Sequence, residues 1–135
     1  RRRSGFSPSQ AYLKPGETHD YAIVDAAMND LLRPALYAAW HPVEPVRPRA
    51  GVARRWQIVG PVCESGDFLA HDRDLALAAG GLLAVRAAGA YGFVMSSNYN
   101  SRPRACEVVV DGDRMHLARP RERAADLYAH EVMLP

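Results

Sequence analysis

The apolar runs of this chain are short, and each stops at residues that turn the backbone. Tyr21-Ala22-Ile23-Val24 ends at Asp25, Trp56, Ile58 and Val59 lead into Gly60-Pro61, and Leu82-Leu83-Ala84-Val85 leads into the glycine-containing segment from Ala87 to Gly92. Glu107-Val108-Val109-Val110 is a strong strand signal, with Asp111-Gly112-Asp113 as its turn and Met115-His116-Leu117 as the returning partner. Phe93-Val94-Met95 reads as one more short strand. Strands of this length joined by Gly and Pro turns predict a mainly β fold: an antiparallel β-barrel or sandwich with short helices.

Helix is confined to two places. Met28, Leu31, Leu32, Leu36, Tyr37 and Trp40 recur at helical spacing, but Pro34 lacks a donor and restricts the residue before it. Two short helices or one kinked helix over residues 26–40 are therefore expected, with another short helix over 122–128. Pro42, Pro45, Pro48 and Gly51 make residues 42–51 a connecting loop. Residues 1–10 show no period and read as irregular, and Lys14-Pro15-Gly16-Glu17 reads as a turn, leaving 11–135 as one β-rich domain.

At 135 residues and 48 % hydrophobic content, a single domain with a modest core is expected. The net charge is only +2, and the arginines gather near the amino terminus and between residues 45 and 55 instead of alternating with aromatics. That pattern does not support a nucleic-acid partner. No export signal or membrane-length apolar run is legible, so the expectation is a cytoplasmic protein with no membrane contact. Cys63 and Cys106 permit at most one disulfide and lack zinc-site spacing, and the five histidines are scattered, so no metal site is expected.

The chemistry gathers in four segments. Gly60-Pro61-Val62-Cys63-Glu64-Ser65-Gly66-Asp67 sets a thiol and carboxylates beside glycine-permitted bends. Cys63 reads either as a reactive thiol or as a small buried apolar group, and Glu64 or Asp67 as a ligand-facing acid, a surface charge or a local cap. No adjacent histidine or Gly-x-Ser-x-Gly elbow supports a cysteine or serine hydrolase. Arg33 and Tyr37 lie four residues apart. On a helical turn they can reach one ligand, the guanidinium fork on a carboxylate and the phenol donating beside it. The alternative leaves Arg33 solvated and Tyr37 packed on Trp40. Tyr91, inside Gly89-Ala90-Tyr91-Gly92, reads either as a ligand contact or as a core tyrosine beside a bulge. The polar run Ser96-Ser97-Asn98-Tyr99-Asn100, with Arg102, suits a subunit contact or a solvated turn.

Three stretches, Ile23 to Tyr37, Gly60 to Leu69 and Gly89 to Pro103, closely resemble the carboxy-terminal part of bacterial diaminopimelate decarboxylases, which are fold-type III pyridoxal-phosphate enzymes. The resemblance spans about residues 20–130 and departs from the family at Arg1 to Gln10, where a polar, arginine-rich segment replaces an apolar strand. That departure reads as a fragment boundary or a non-native start. The resemblance implies a second domain of a longer enzyme whose amino-terminal β/α-barrel carries the Schiff-base lysine, acting as a homodimer on meso-2,6-diaminopimelate to give L-lysine and carbon dioxide. It further implies that Arg33 and Tyr37 bind the carboxylate at the non-reacting end, Glu64 binds the distal ammonium, and Cys63 lies near the carbon being protonated. Cys63 and Glu64 would be presented into the partner's site. Tyr91 would contact the cofactor, commonly its phosphate, and the substrate pocket.

Lysine occurs once, as Lys14 in a turn-like segment, and is a poor Schiff-base candidate. The isolated chain is therefore expected to be inactive. Two alternatives remain: a decarboxylase for another basic amino acid, against which Glu64 in place of aspartate after Cys63 counts through the resemblance, and a non-catalytic dimerisation or binding module.

Overall fold

The computed structural model describes residues 9–134 of the chain. Eight strands dominate them: β1 (Ser9–Lys14), β2 (Asp20–Val24), β3 (Val43–Pro45), β4 (Arg54–Val59), β5 (Phe68–Leu75), β6 (Leu82–Val85), β7 (Glu107–Asp111) and β8 (Arg114–Arg119). The first six form one sheet in the order β3-β6-β1-β2-β4-β5, and β7-β8 is a separate hairpin. Every pairing in the large sheet is antiparallel except β2 with β4. The mainly β, mainly antiparallel expectation therefore holds, with one parallel pair added.

That parallel pair positions the site. A parallel ladder needs a crossover, here residues 25–53, and it brings the carboxyl ends of both strands to one end of the sheet. The loop after Val24 and the loop after Val59 consequently emerge side by side. The sheet also curls until its edge strands β3 and β5 touch, where the guanidinium of Arg73 reaches the His41 carbonyl at 3.4 Å. No main-chain ladder between β3 and β5 closes the barrel.

Inside the curl lies a core of small and branched side chains, including Ala22, Val24, Leu31, Val43, Trp56, Ile58, Leu69, Leu83 and Val85. Leu31, Ile58 and Leu69 are the largest fully buried members, each contributing about 1.5–3 kcal/mol by leaving water. Trp56 is buried with its indole N–H donating to the Leu75 carbonyl at 3.0 Å, which fastens β4 to β5.

Several sequence expectations are corrected. Only one helix forms between residues 26 and 40, α1 (Arg33–Tyr37), started by Pro34 and ended by Ala38 at φ 51°. Residues 27–30 instead make a turn in which the Asp30 carboxylate accepts the Ala27 N–H at 3.0 Å, a local bond that competes with helix. The expected loop at 42–51 contains β3, whose Pro45 is tolerated because β3 is an edge strand. Phe93-Val94-Met95 is a run of turns and not a strand: the Phe93 carbonyl accepts both the N–H and the hydroxyl of Ser96. The closing helix is a 3-10 helix over Ala124–Tyr128, which starts two residues later than expected and ends where expected.

Two further strands, besides β3, had no sequence signal. β1 begins at Ser9, inside the stretch read as irregular, and pairs with β6 through Ser9 and Gln10. The remainder of that stretch, residues 1–8, lies outside the described residues. In β5, His71-Asp72-Arg73-Asp74 masks the strand, because Asp72 adopts φ 53° at a register shift and the outer half is largely exposed.

Candidate active site

Three loops meet at the carboxyl end of the parallel pair. They are residues 25–32 after β2, residues 60–67 after β4, and residues 86–106 after β6. The 60–67 loop is closed by its own backbone: the Gly60 N–H donates to the Asp67 carbonyl at 3.0 Å, and the Asp67 N–H to the Glu64 carbonyl at 3.0 Å. Cys63 and Glu64 sit on its exposed tip, Cys63 as a free thiol.

Asp67, by contrast, is buried. Its Oδ1 accepts the Met28 N–H at 2.7 Å and its Oδ2 accepts the Val62 N–H at 2.7 Å, so one carboxylate joins the first two loops. Of the roles open to Asp67 in the sequence, the local cap is the one the geometry supports.

The third loop is tied to both others. Asn29 is buried, its carbonyl accepting the Ser97 N–H at 2.9 Å and its amide oxygen accepting Nε of Arg102 at 3.0 Å. The guanidinium of Arg102 also lies 3.8 Å from the Asp30 carboxylate. Burial pushes the Asp30 carboxyl above its ordinary range, opposed by its bond from Ala27 and by the charges of Arg102 and Arg121. Tyr99 donates its hydroxyl to Oε2 of Glu64 at 3.3 Å, while Oε1 accepts the Gly66 N–H at 3.3 Å. The Glu64 charge raises the Tyr99 phenol above its usual range, because ionising it would place two anions together. No arginine or histidine is paired with Glu64 among the described residues.

Tyr91, 54 % exposed, lies in the turns after β6, and the Arg33 guanidinium carbon is 5.1 Å from its ring centroid. Arg33 opens α1 and is half-buried, whereas Tyr37 ends α1 and is 63 % exposed. The structure thus brings Arg33 to Tyr91 and Glu64 to Tyr99. Among the described residues no hydrogen bond or ring contact joins Arg33 to Tyr37, and Cys63, next to Glu64 in the loop tip, lies near enough to the Tyr99 phenol to add to its upward shift. The described residues show no ring contact between Tyr37 and Trp40, and the Arg73 guanidinium lies over the Trp40 ring at 4.8 Å.

The links through Asp67, Asn29, Arg102 and Tyr99 were not legible as such, since each joins residues at least 35 positions apart. The one available signal was local: Gly60 and Asp67 stand at the two ends of a Gly- and Pro-bearing segment, where an acid suits a capping role. Lys14 pairs with Tyr21 at the opposite end of β2, about 10 Å along the strand from Val24 at roughly 3.3 Å per residue. An amine for covalent chemistry is therefore not supplied to this face by Lys14. Among the described residues no group of three histidine, cysteine or acidic side chains is arranged to hold a metal ion, and no helix is long and apolar enough to cross a membrane.

The comparisons with known proteins agree with this architecture. Residues 9–89 match the model of the pyridoxal-dependent decarboxylase C-terminal sheet domain. The chain is similar to the diaminopimelate decarboxylase of Pseudomonas aeruginosa, 67 % identical over 124 residues that cover 92 % of this chain and 30 % of that protein. It is similar to that of Vibrio cholerae at 59 % identity, with the same coverages. Among solved structures it resembles diaminopimelate decarboxylase from M. jannaschii in complex with L-lysine, with a TM-score of 0.89 and 34 % identity over 95 % of this chain and 30 % of that one. The chain thus spans about a third of the length of the curated relatives it matches. On the matched residues, the identity to its relatives and the shared sheet fold, this chain belongs to the pyridoxal-dependent decarboxylases, as their C-terminal sheet domain.

Proposed function

We propose that this domain serves a diaminopimelate decarboxylase, which converts meso-2,6-diaminopimelate into L-lysine and carbon dioxide in lysine biosynthesis, in the cytoplasm. The observation that carries the reading is that the loops of this face are tied together at the carboxyl end of the parallel pair: the Arg33 guanidinium stands over the open Tyr91 phenol, and the free thiol of Cys63 adjoins Glu64, a carboxylate with no paired cation among the described residues, while Lys14 pairs at the other end of β2. Such a face recognises a substrate bearing both carboxylate and ammonium groups and leaves covalent capture to another domain. The names of the relatives support the same substrate.

Pyridoxal phosphate fits this face at one edge. The Tyr91 hydroxyl makes no hydrogen bond among the described residues and its ring is held by Arg33, so it is free to donate to a phosphate. When bound, the cofactor supplies the electron sink that lets a carboxylate leave as carbon dioxide. The remaining work falls to this chain's side chains. Arg33, with Tyr37, takes the distal carboxylate of the substrate through charge-assisted bonds. Glu64, its oxygens already oriented by Tyr99 and Gly66, takes the distal ammonium. Cys63 at the loop tip holds a proton at Sγ for the carbon that loses the carboxylate.

Completion of the site by an amino-terminal β/α-barrel and by a second copy belongs to the same proposal. Its support is an uncovered apolar face on the hairpin, where Val108 opposite Leu117 and Val110 opposite Met115 are all exposed. The test assays carbon dioxide and L-lysine formation from meso-2,6-diaminopimelate with added pyridoxal phosphate, using the full-length protein and the 135-residue chain. Turnover by the full-length protein alone is expected. Turnover by the short chain, or a preference of the full-length protein for another basic amino acid, overturns the reading.

A further inference from the structure

Asp67 is 4 % exposed, and none of the roles above uses it. An ionised carboxylate is costly to bury unless its lone pairs are filled, and here each oxygen is filled by a main-chain donor at 2.7 Å. The donors come from different loops. Met28 lies in the turn that leads into Arg33, and Val62 immediately precedes Cys63 and Glu64. The Asp67 backbone closes the second loop as well, through Gly60 and Glu64. Gly60 packs so tightly on this group that a Cβ there overlaps both carboxylate oxygens. One buried group therefore sets the offset between the Cys63-Glu64 tip and the chain entering α1.

We propose that Asp67 is a positioning residue that holds Cys63 and Glu64 at a fixed place relative to Arg33 without touching substrate. The proposal rests on the reading of Cys63 and Glu64 as active-site residues. Asp67→Asn keeps the side-chain volume but turns an amide NH2 group toward one of the two main-chain donors, so one bond becomes a repulsion. A displacement of this kind, outside the reacting atoms, costs on the order of a hundredfold in rate.

The experiment uses the full-length protein and two readouts. Amide hydrogen exchange in the wild type should show Met28 and Val62 protected although both lie in loops, and Asp67→Asn should release these two while β2 and β4 stay protected. In kinetics, Asp67→Asn should lower kcat/KM by about a hundredfold, and adding it to Cys63→Ala or Glu64→Gln should cost much less than its effect alone, because it acts through them. Unprotected Met28 and Val62 amides in the wild type overturn the proposal even if the variant does not fold. So does a loss that adds in full to those of Cys63→Ala and Glu64→Gln. If those two substitutions leave turnover intact, the functional reading of the loop fails and the positioning role falls with it. Protected amides would then identify Asp67 as a structural staple only.

Discussion

The guanidinium carbon of Arg33 stands 5.1 Å from the centroid of the Tyr91 ring, joining the first residue of α1 to the turns after β6. Arg33→Ala removes a cationic hydrogen-bond donor and the support under that ring. In the full-length protein kcat/KM for meso-2,6-diaminopimelate is expected to fall by the equivalent of roughly 2–5 kcal/mol. Tyr91→Phe keeps the cation–π contact, about 0.5–1 kcal/mol, and loses only the hydroxyl. It should weaken pyridoxal phosphate binding in an absorbance titration while leaving Tm unchanged. Equal kcat/KM for wild type and Arg33→Ala excludes the assignment.

Cys63 and Glu64 share a loop tip but are assigned different tasks, so their substitutions should injure different constants. Glu64→Gln is expected to raise KM and Cys63→Ala to lower kcat. Tyr99→Phe, which frees one Glu64 oxygen, should reproduce the Glu64 effect in weaker form. Mixing a Glu64→Ala protein with one lacking the barrel lysine should restore activity if sites cross the subunit boundary. Verified mixed dimers that stay inactive exclude the crossing.

Asp30 gives a pH signature. Burial raises its native pKa, so between the unfolded value near 4 and the native value the folded state binds more protons than the unfolded one. Its contribution to stability is fully present below about pH 4 and is lost as pH rises through the native pKa. Denaturant midpoints measured against pH should show this decline in the wild type relative to Asp30→Asn. Parallel curves for the two proteins would contradict it.

Glu122 has the opposite sign. Its Oε2 accepts the Arg104 N–H at 2.8 Å and the Asn98 amide at 2.7 Å, and these bonds hold its carboxyl below the ordinary range. The tethering of the carboxy-terminal segment is therefore present above about pH 4.3 and lost as pH falls through the native pKa. Exchange of the Glu122 amide, which donates to the Arg104 carbonyl, should be faster in Glu122→Gln at neutral pH. The difference should disappear in acid, and a difference that persists there counts against the assignment.

Gly60→Ala drives a methyl group into the Asp67 carboxylate. Overpacking of this kind costs roughly 1–3 kcal/mol. A lowered Tm is expected, together with loss of Met28 amide protection. A variant as stable as the wild type would show that the loop yields without cost.

Strands whose side chains alternate or run apolar were legible in the sequence: Tyr21 to Val24, Leu82 to Val85 and the hairpin around Gly112, which takes φ 63° at its turn. β1, β3 and β5 were not, because their pairing with neighbours supplies what their own composition lacks, and β5 carries four consecutive polar residues along its exposed half. For the site, the sequence determined the inventory. Local rules placed Cys63 and Glu64 in a turning loop and Pro34 at a break in the helical pattern of 26–40, since glycine and proline act on their immediate neighbours, and the structure starts α1 there at Arg33. Tertiary structure alone decided the partners, setting Arg33 beside Tyr91 and not Tyr37, Tyr99 beside Glu64, and Asp67 between Met28 and Val62. The physical reason is the parallel pairing of β2 with β4. It delivers two loops distant in sequence to one end of the sheet, where buried polar groups must find partners across the gap.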